Sequence, residues 1–163
     1  FLIGGNSGMT SLPQMFKRPV VFVNMCPFGE IIYSGANDIF IPKNYYSAEK
    51  GGLLTFREIL TDRRFLNYPR SRFFGAVESR EFYNQIGLEF VDNTPEEIAE
   101  LAIEMEQRLK GTFEPSKEDD ALRERFHAIL RSHQQVSALG TDYDVHRLRI
   151  GAHFIRTHQE LLE

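Results

Sequence analysis

The chain has 163 residues, of which 42% are hydrophobic and 26% are charged, and its formal net charge is −4. This length suits one domain, and the composition excludes a wholly disordered chain or a disulfide scaffold. The longest apolar runs fall well short of the roughly 20 residues of a transmembrane helix, and the acidic balance argues against a nucleic-acid partner.

The chain begins on an apolar triplet, Phe1-Leu2-Ile3, instead of an initiator methionine. No basic region and no long apolar stretch accompany it, so it is not a signal peptide. We interpret residues 1–163 as a single domain that is a fragment of a longer, two-domain chain. The only cysteine, Cys26, suits a reducing compartment and predicts a cytoplasmic protein, either free or at the inner face of the membrane.

A strand, a glycine loop, a short helix and a second strand are predicted over residues 1–23. Apolar residues recur at helical spacing from Met9 to Phe16, between two short apolar runs typical of strands buried in a parallel sheet. This order predicts a βαβ unit. Pro13 is comfortable only in a first helical turn, so the helix either begins near Thr10 or is kinked at the proline.

The middle of the chain carries weaker signals. We expect a short strand at residues 39–41 and otherwise loop from 27 to 52. Thr55 and Glu58 form a capping box ahead of a helix over about 56–62. We expect residues 63–77 to be irregular and residues 78–86 to form a short helix. Apolar and polar residues alternate over 87–91, which predicts a final strand.

The last third of the chain is predicted to be helical. Thr94-Pro95-Glu96-Glu97 combines a capping residue, a proline and an early glutamate, and Gly111 ends that helix. Ser116 caps a second helix. Apolar residues at helical spacing from Val145 to Leu162 suggest a third helix. The order of strands and helices along the whole chain predicts an α/β fold with a Rossmann-like parallel sheet and flanking helices.

Charge is distributed unevenly along the chain. Residues 1–89 hold 10 basic and 8 acidic residues, and residues 90–163 hold 9 basic and 15 acidic residues. The balances are therefore +2 and −6. An anionic ligand suits the first half better, although two differently solvated surfaces would explain the same pattern.

The glycine loop at residues 4–10 is the strongest candidate for a site. Glycines between a strand and a helix let backbone N–H groups approach an anion, and Ser7 and Thr10 add hydroxyl donors. In a parallel sheet such a loop lies at the carboxyl edge, where ligands bind. Its spacing matches neither a dinucleotide fingerprint nor a Walker loop, so a tight structural turn remains the alternative.

Residues 5–10 (GNSGMT) followed by 17–21 (KRPVV) resemble the phosphate-binding βαβ segment in the C-terminal domain of GT-B glycosyltransferases. More of the chain resembles one bacterial family of predicted glycosyltransferases associated with surface polysaccharides. The matching segments, in order, are IPK at 41–43, LTFREIL at 54–60, DNTPEEI at 92–98, RLKG at 108–111 and RIGAHFI at 149–155.

This resemblance implies the donor half-site of a glycosyltransferase. Gly5, Asn6, Ser7, Gly8 and Thr10 would contact the diphosphate of a nucleotide sugar. Lys43 would neutralise phosphate or contact the sugar, with a solvated surface lysine as its alternative. In GT-B enzymes the catalytic base commonly belongs to the N-terminal domain, so no catalytic residue is assigned.

Other residue patterns predict less. Arginines and aromatic residues interleaved over 57–80 would suit an anionic acceptor or RNA, but acidic neighbours favour ion-paired packing. The five histidines lack metal-site spacing, and Cys26 suits a buried filler. We expect no metal and no cofactor beyond the donor substrate.

The predicted function is transfer of a sugar from a nucleotide-sugar donor to a glycan or lipid-linked acceptor. The expected partners are the nucleotide sugar, the acceptor and a preceding domain of the same chain. One alternative is a sugar-nucleotide epimerase of the same architecture, which would change the donor without an acceptor. A second is a non-catalytic module whose acidic helices bind a protein partner.

Overall fold

The computed structural model describes residues 1–5, 7–26, 28, 35, 37–62, 76–133 and 148–163. Three of its strands form a parallel sheet in the order β1-β2-β3: β1 (Leu2–Gly4), β2 (Val20–Met25) and β3 (Ile39–Pro42). Val21 pairs with Ile3 on one side and with Ile39 on the other. β2 and β3 are almost entirely buried, as strands covered on both faces must be. The predicted α/β class with a parallel sheet is confirmed.

A second, antiparallel sheet follows in the order β5-β4-β6. It consists of β4 (Asn44–Ser47), β5 (Gly52–Leu53) and β6 (Leu88–Val91). The sequence predicts loop where β4 lies, and that prediction is wrong. The predicted final strand exists as β6, but it pairs with β4, with Tyr45 opposite Phe90, and belongs to this second sheet.

Two short helices occupy the first half of the described chain. A 3₁₀ turn (Gly8–Thr10) leads into α1 (Ser11–Met15), so Pro13 lies early in the helix, as one of the two predicted alternatives required. α2 (Phe56–Thr61) begins at the predicted capping box of Thr55 and Glu58. Residues 63–75 lie outside the described residues.

The second half is built on longer helices. These are α3 (Ala76–Gln85), α4 (Pro95–Lys110), α5 (Lys117–His133) and α6 (Ala152–Thr157), with a final 3₁₀ turn (Gln159–Leu162). Thr94 caps α4, and Gly111 ends it in the left-handed conformation at φ 71°, both as predicted. The predicted third helix is wrong over 148–151, because Ile150 forms a parallel bridge with Phe40 and extends the sheet there.

Aromatic rings join the parallel sheet to the helices. The Phe28 and Phe56 rings stack at 4.8 Å, and the Phe126 ring of α5 lies 5.2 Å from Phe56 and 6.2 Å from Phe40. α4 packs on β2 and β3, and α6 packs on α4 and α5. The carboxyl edge of the parallel sheet is thereby fixed beside the N-terminus of α4.

Candidate functional site

The loop after β1 is held closed by Thr10. The Thr10 amide and hydroxyl both donate to the Ser7 carbonyl, at 3.0 and 2.6 Å. A Cβ atom on Gly4 would lie 3.3 Å from the Thr10 methyl group, so the small residue lets Thr10 pack against the end of the strand. Thr10 is buried and Ser7 is exposed. The Ser7 side chain therefore faces solvent, while the Thr10 hydroxyl is already used within the turn.

Two of the predicted glycines border this turn. Gly5 is half-buried, with room for a Cβ atom at ordinary contact distance, 3.5 Å, from the Val23 carbonyl. Gly8 begins the 3₁₀ turn. The prediction for Asn6 lies outside the described residues. The loop follows the carboxyl end of β1, as the sequence predicted.

Asn24 and Asn93 form the next part of the carboxyl edge. Asn24 has a left-handed backbone, at φ 53°, where the pairing of β2 with β3 is irregular. Its amide donates to the Asn93 side-chain oxygen at 2.6 Å, and the Asn93 amide donates to the Asn24 side-chain oxygen at 2.7 Å. The Asn93 side-chain amide also donates to the Pro42 carbonyl at 2.8 Å. This pair ties β2 and β3 to the turn that precedes α4.

Lys43 extends the same edge beyond β3. Its backbone amide donates to the Met25 carbonyl at 3.0 Å, and its ammonium group forms an ion pair with Asp92. That ammonium also lies 5.8 Å from the centre of the Phe90 ring. The Lys43 side chain is mostly buried, whereas the Asp92 side chain is exposed. A ligand phosphate would therefore compete with a solvent-exposed carboxylate for the lysine.

The three strand ends give the edge its dimensions and polarity. Neighbouring strands lie about 4.8 Å apart, so β1 and β3 are separated by about 10 Å with β2 between them. Residues 1–29 contain no acidic side chain. Lys17 and Arg18, both exposed, follow α1. The potential near the loop is therefore favourable for an anion.

Exposed apolar side chains follow the loop along the first helical turns. Met9, Leu12, Met15 and Phe16 project from the first helical turns and are exposed, Met15 at 78%. This surface is more apolar than an ordinary helix face in contact with water.

Cys26 lies between the edge and the core. It is half-buried, and its sulfur is 3.7 Å from the Tyr45 hydroxyl, which also accepts a hydrogen bond from the Phe28 amide at 2.9 Å. Burial, followed by the negative charges that Cys26 and Tyr83 would carry, raises the pKa of Tyr45 well above 10. Tyr45 is thus a neutral hydroxyl that organises the chain after β2, and Cys26 packs beside it.

Three of the described histidines, at positions 127, 133 and 158, make structural contacts. His127 donates to the Leu148 carbonyl at 2.9 Å, and His133 donates to the Ile129 carbonyl at 2.8 Å. His158 lies 2.6 Å from the buried carboxylate of Glu97. Within the described ranges, no three His, Cys, Asp or Glu residues are grouped as metal ligands would be. His146 lies outside those ranges.

The sequence predicted Gly5, Ser7, Gly8, Thr10 and Lys43, and all five follow carboxyl ends of strands in the parallel sheet. It missed Asn24, Asn93 and Asp92. Asparagine directly after a strand is a signal for a left-handed residue, and that signal was available at Asn24. The pairing with residue 93 had no local signal, because it joins positions 69 residues apart.

No helix in the described part of the chain is long and apolar enough to cross a membrane. Comparisons of the chain with family models, with curated proteins and with solved structures gave no match. The resemblance to GT-B glycosyltransferases therefore stays a prediction.

Proposed function

We propose that this chain is the donor-binding domain of a GT-B-type glycosyltransferase. The observation that carries the proposal is the parallel β1–loop–α1–β2 unit, with its glycine and serine loop at the carboxyl edge of the sheet. In open α/β sheets, ligands bind outside this edge. The substrate would be a nucleotide sugar, and the sugar would pass to a glycan or lipid-linked acceptor.

Each predicted contact has a chemical task in this proposal. Backbone amides of Gly5, Asn6 and Gly8 and the Ser7 hydroxyl would donate hydrogen bonds to the diphosphate. Thr10 would act through the Ser7 carbonyl, which it holds with two hydrogen bonds. Such preorganised donors stabilise the negative charge that accumulates on a departing diphosphate.

Lys43 would supply the cation. Its ion pair with Asp92 places the ammonium at the edge of the sheet before a ligand binds. Because the Asp92 carboxylate is exposed, its displacement by a phosphate costs little free energy. We propose no metal requirement, because the lysine and the amides would meet the charge. The acceptor site and the catalytic base would belong to a preceding domain.

Titration calorimetry with nucleoside diphosphates tests the proposal. The protein that carries this chain should bind at least one of UDP, GDP, CDP, ADP and dTDP, and the matching nucleosides should bind far more weakly. Ser7→Ala should weaken binding roughly tenfold, the value of one hydrogen bond to a charged group. The matched control is Ser132→Ala, an exposed serine on α5.

Three results would separate the alternatives. Absence of saturable binding by every diphosphate, or equal binding by Ser7→Ala, would refute the donor site. Conversion of the nucleotide sugar without an acceptor would favour the epimerase. Retention of partner binding by Ser7→Ala, without nucleotide binding, would favour an interaction module.

A further inference from the structure

Arg149 is a half-buried arginine whose guanidinium has no hydrogen bond and no ion pair among the described residues. Two other arginines near it are each paired. Arg108 contacts the buried carboxylate of Glu104 at 2.8 Å, and Arg123 contacts Asp120 at 2.5 Å. An unpaired guanidinium that has lost part of its water is a costly arrangement. A bound anion would offset that cost.

The backbone around Arg149 fixes its position at the amino edge of the parallel sheet. The Arg149 carbonyl accepts a hydrogen bond from the Phe40 amide at 3.0 Å. The Gly151 amide in turn donates a hydrogen bond to the Phe40 carbonyl at 2.9 Å. The segment 149–151 therefore runs parallel to β3, with Arg149 at its start. The Gly5–Gly8 loop lies at the opposite edge of the sheet.

α5 carries Arg123 toward this position. His127 donates to the carbonyl of Leu148, the residue before Arg149. Arg123 lies four residues before His127, so the two side chains share one face of α5. Arg123 therefore lies on the face of α5 that meets residue 148, one turn before that contact.

α4 brings Arg108 from the other side. The Glu104 carboxylate of α4 accepts a hydrogen bond from the Ala152 amide at 2.7 Å. It also forms an ion pair with Arg108, one turn further along α4. A Cβ atom on Gly151 would lie 2.6 Å from Leu101, so this side of α4 runs directly along the 149–152 segment. Arg108 also stacks on the Phe113 ring at 4.0 Å, which fixes its plane.

The electrostatics agree with this geometry. Burial lowers the pKa of Arg149 most, and the positive charges of Arg108 and Arg123 lower it further. Asp38 opposes the shift, but its two carboxylate oxygens accept the Val20 amide at 2.8 Å and the Gly35 amide at 2.5 Å. At Arg149 the repulsion from Arg108 and Arg123 therefore outweighs the attraction of Asp38, while Glu104 and Asp120 balance the charges of the two neighbouring arginines.

We propose that Arg108, Arg123 and Arg149 form a binding site for a phosphate group at the amino edge of the sheet. A guanidinium presents a planar fork of donors that matches phosphate oxygens. Arg149 supplies the guanidinium that has no partner among the described residues. Arg108 and Arg123 add to the positive potential and help to orient the phosphate. The ligand class is a small phosphate monoester or free phosphate. This proposal does not rest on the glycosyltransferase function.

Titration calorimetry at constant ionic strength tests the site, with inorganic phosphate, glycerol phosphate and acetate as probes. Wild-type protein should bind at least one phosphate probe saturably and should bind acetate at least tenfold more weakly. Arg149→Gln should weaken phosphate binding at least tenfold. Arg57→Gln, at an exposed arginine on α2, should bind as wild type does. Tighter binding of glycerol phosphate than of free phosphate would identify a monoester.

Two further variants keep the test decisive. Arg149→Lys retains the charge but loses the fork, so it should bind phosphate more weakly than wild type and unfold at a similar temperature. Ser132→Ala, at an exposed position on α5, should leave this binding unchanged. The proposal is overturned by no saturable phosphate binding to wild type, by wild-type affinity in Arg149→Gln, or by loss of binding in Ser132→Ala alone.

Discussion

Asn24 and Asn93 exchange two hydrogen bonds across 69 positions of the chain, each amide donating to the other's side-chain oxygen. The contact fixes the left-handed Asn24 at the end of β2 and places the N-terminus of α4 against the carboxyl edge of the sheet. The shape of the proposed donor site therefore depends on two residues that are not among its proposed ligands.

Asn93→Ala should destabilise the fold by about 2–4 kcal/mol. The change leaves the Asn24 amide and the buried Pro42 carbonyl without their hydrogen bonds, and each unsatisfied buried group costs about 1–3 kcal/mol. Urea unfolding measures the difference. Asn84→Ala, at an exposed position on α3, should change stability by less than about 0.5 kcal/mol, and an equal loss in both variants would contradict the structural role.

Gly151→Ala should destabilise the fold by about 1–3 kcal/mol, the usual cost of an overpacked core. The added methyl group would lie 2.6 Å from a Leu101 methyl and 3.0 Å from an Ile41 methyl, between α4 and β3. Gly52→Ala is the matched control, because a Cβ atom there meets nothing within 4 Å. Thermal unfolding of the two variants side by side should separate them, and a neutral Gly151→Ala would show that α4 and β3 can move apart.

Glu58→Gln should lower stability near pH 6 and have a smaller effect near pH 3. The hydrogen bond from Lys50, at 2.6 Å, is the largest cause that holds the pKa of Glu58 below its ordinary value of 4.5. Because the folded pKa is depressed, the stabilisation is present above about pH 4.5 and is lost as pH falls through the folded pKa. Both side chains are largely exposed, so the effect should stay below about 1 kcal/mol. Urea unfolding at the two pH values measures it, and a pH-independent difference between wild type and Glu58→Gln would argue against this ion pair.

Asp92→Asn should tighten nucleoside diphosphate binding by up to about fivefold, the factor that corresponds to an exposed ion pair of at most about 1 kcal/mol. The substitution frees the Lys43 ammonium from its carboxylate partner. Lys43→Ala should weaken the same binding. Lys50→Ala removes a comparable exposed ion pair away from the sheet edge and should leave calorimetric affinity unchanged. Weaker binding by Asp92→Asn would mean that the carboxylate itself positions the lysine for the ligand.

Signals written within a few residues determined much of this protein. The capping boxes at Thr55 and Thr94 and the left-handed Gly111 set helix ends through contacts with their immediate neighbours. The apolar run at β2 predicted a buried parallel strand, since a strand covered on both faces has no polar side. The glycine loop was also recognisable locally, because its glycines and hydroxyl residues are close neighbours in the sequence.

Only the tertiary structure decided which distant segments meet. β4 mixes polar and aromatic residues, and its identity as a strand depends on β6, more than forty residues later. Ile150 looked helical from its spacing, but backbone pairing with Phe40 makes it part of the sheet. The ion pair of Lys43, the Asn24–Asn93 contact and the gathering of three arginines follow from these pairings. Their free energies depend on burial and on partners far along the chain, which periodicity within one segment does not record.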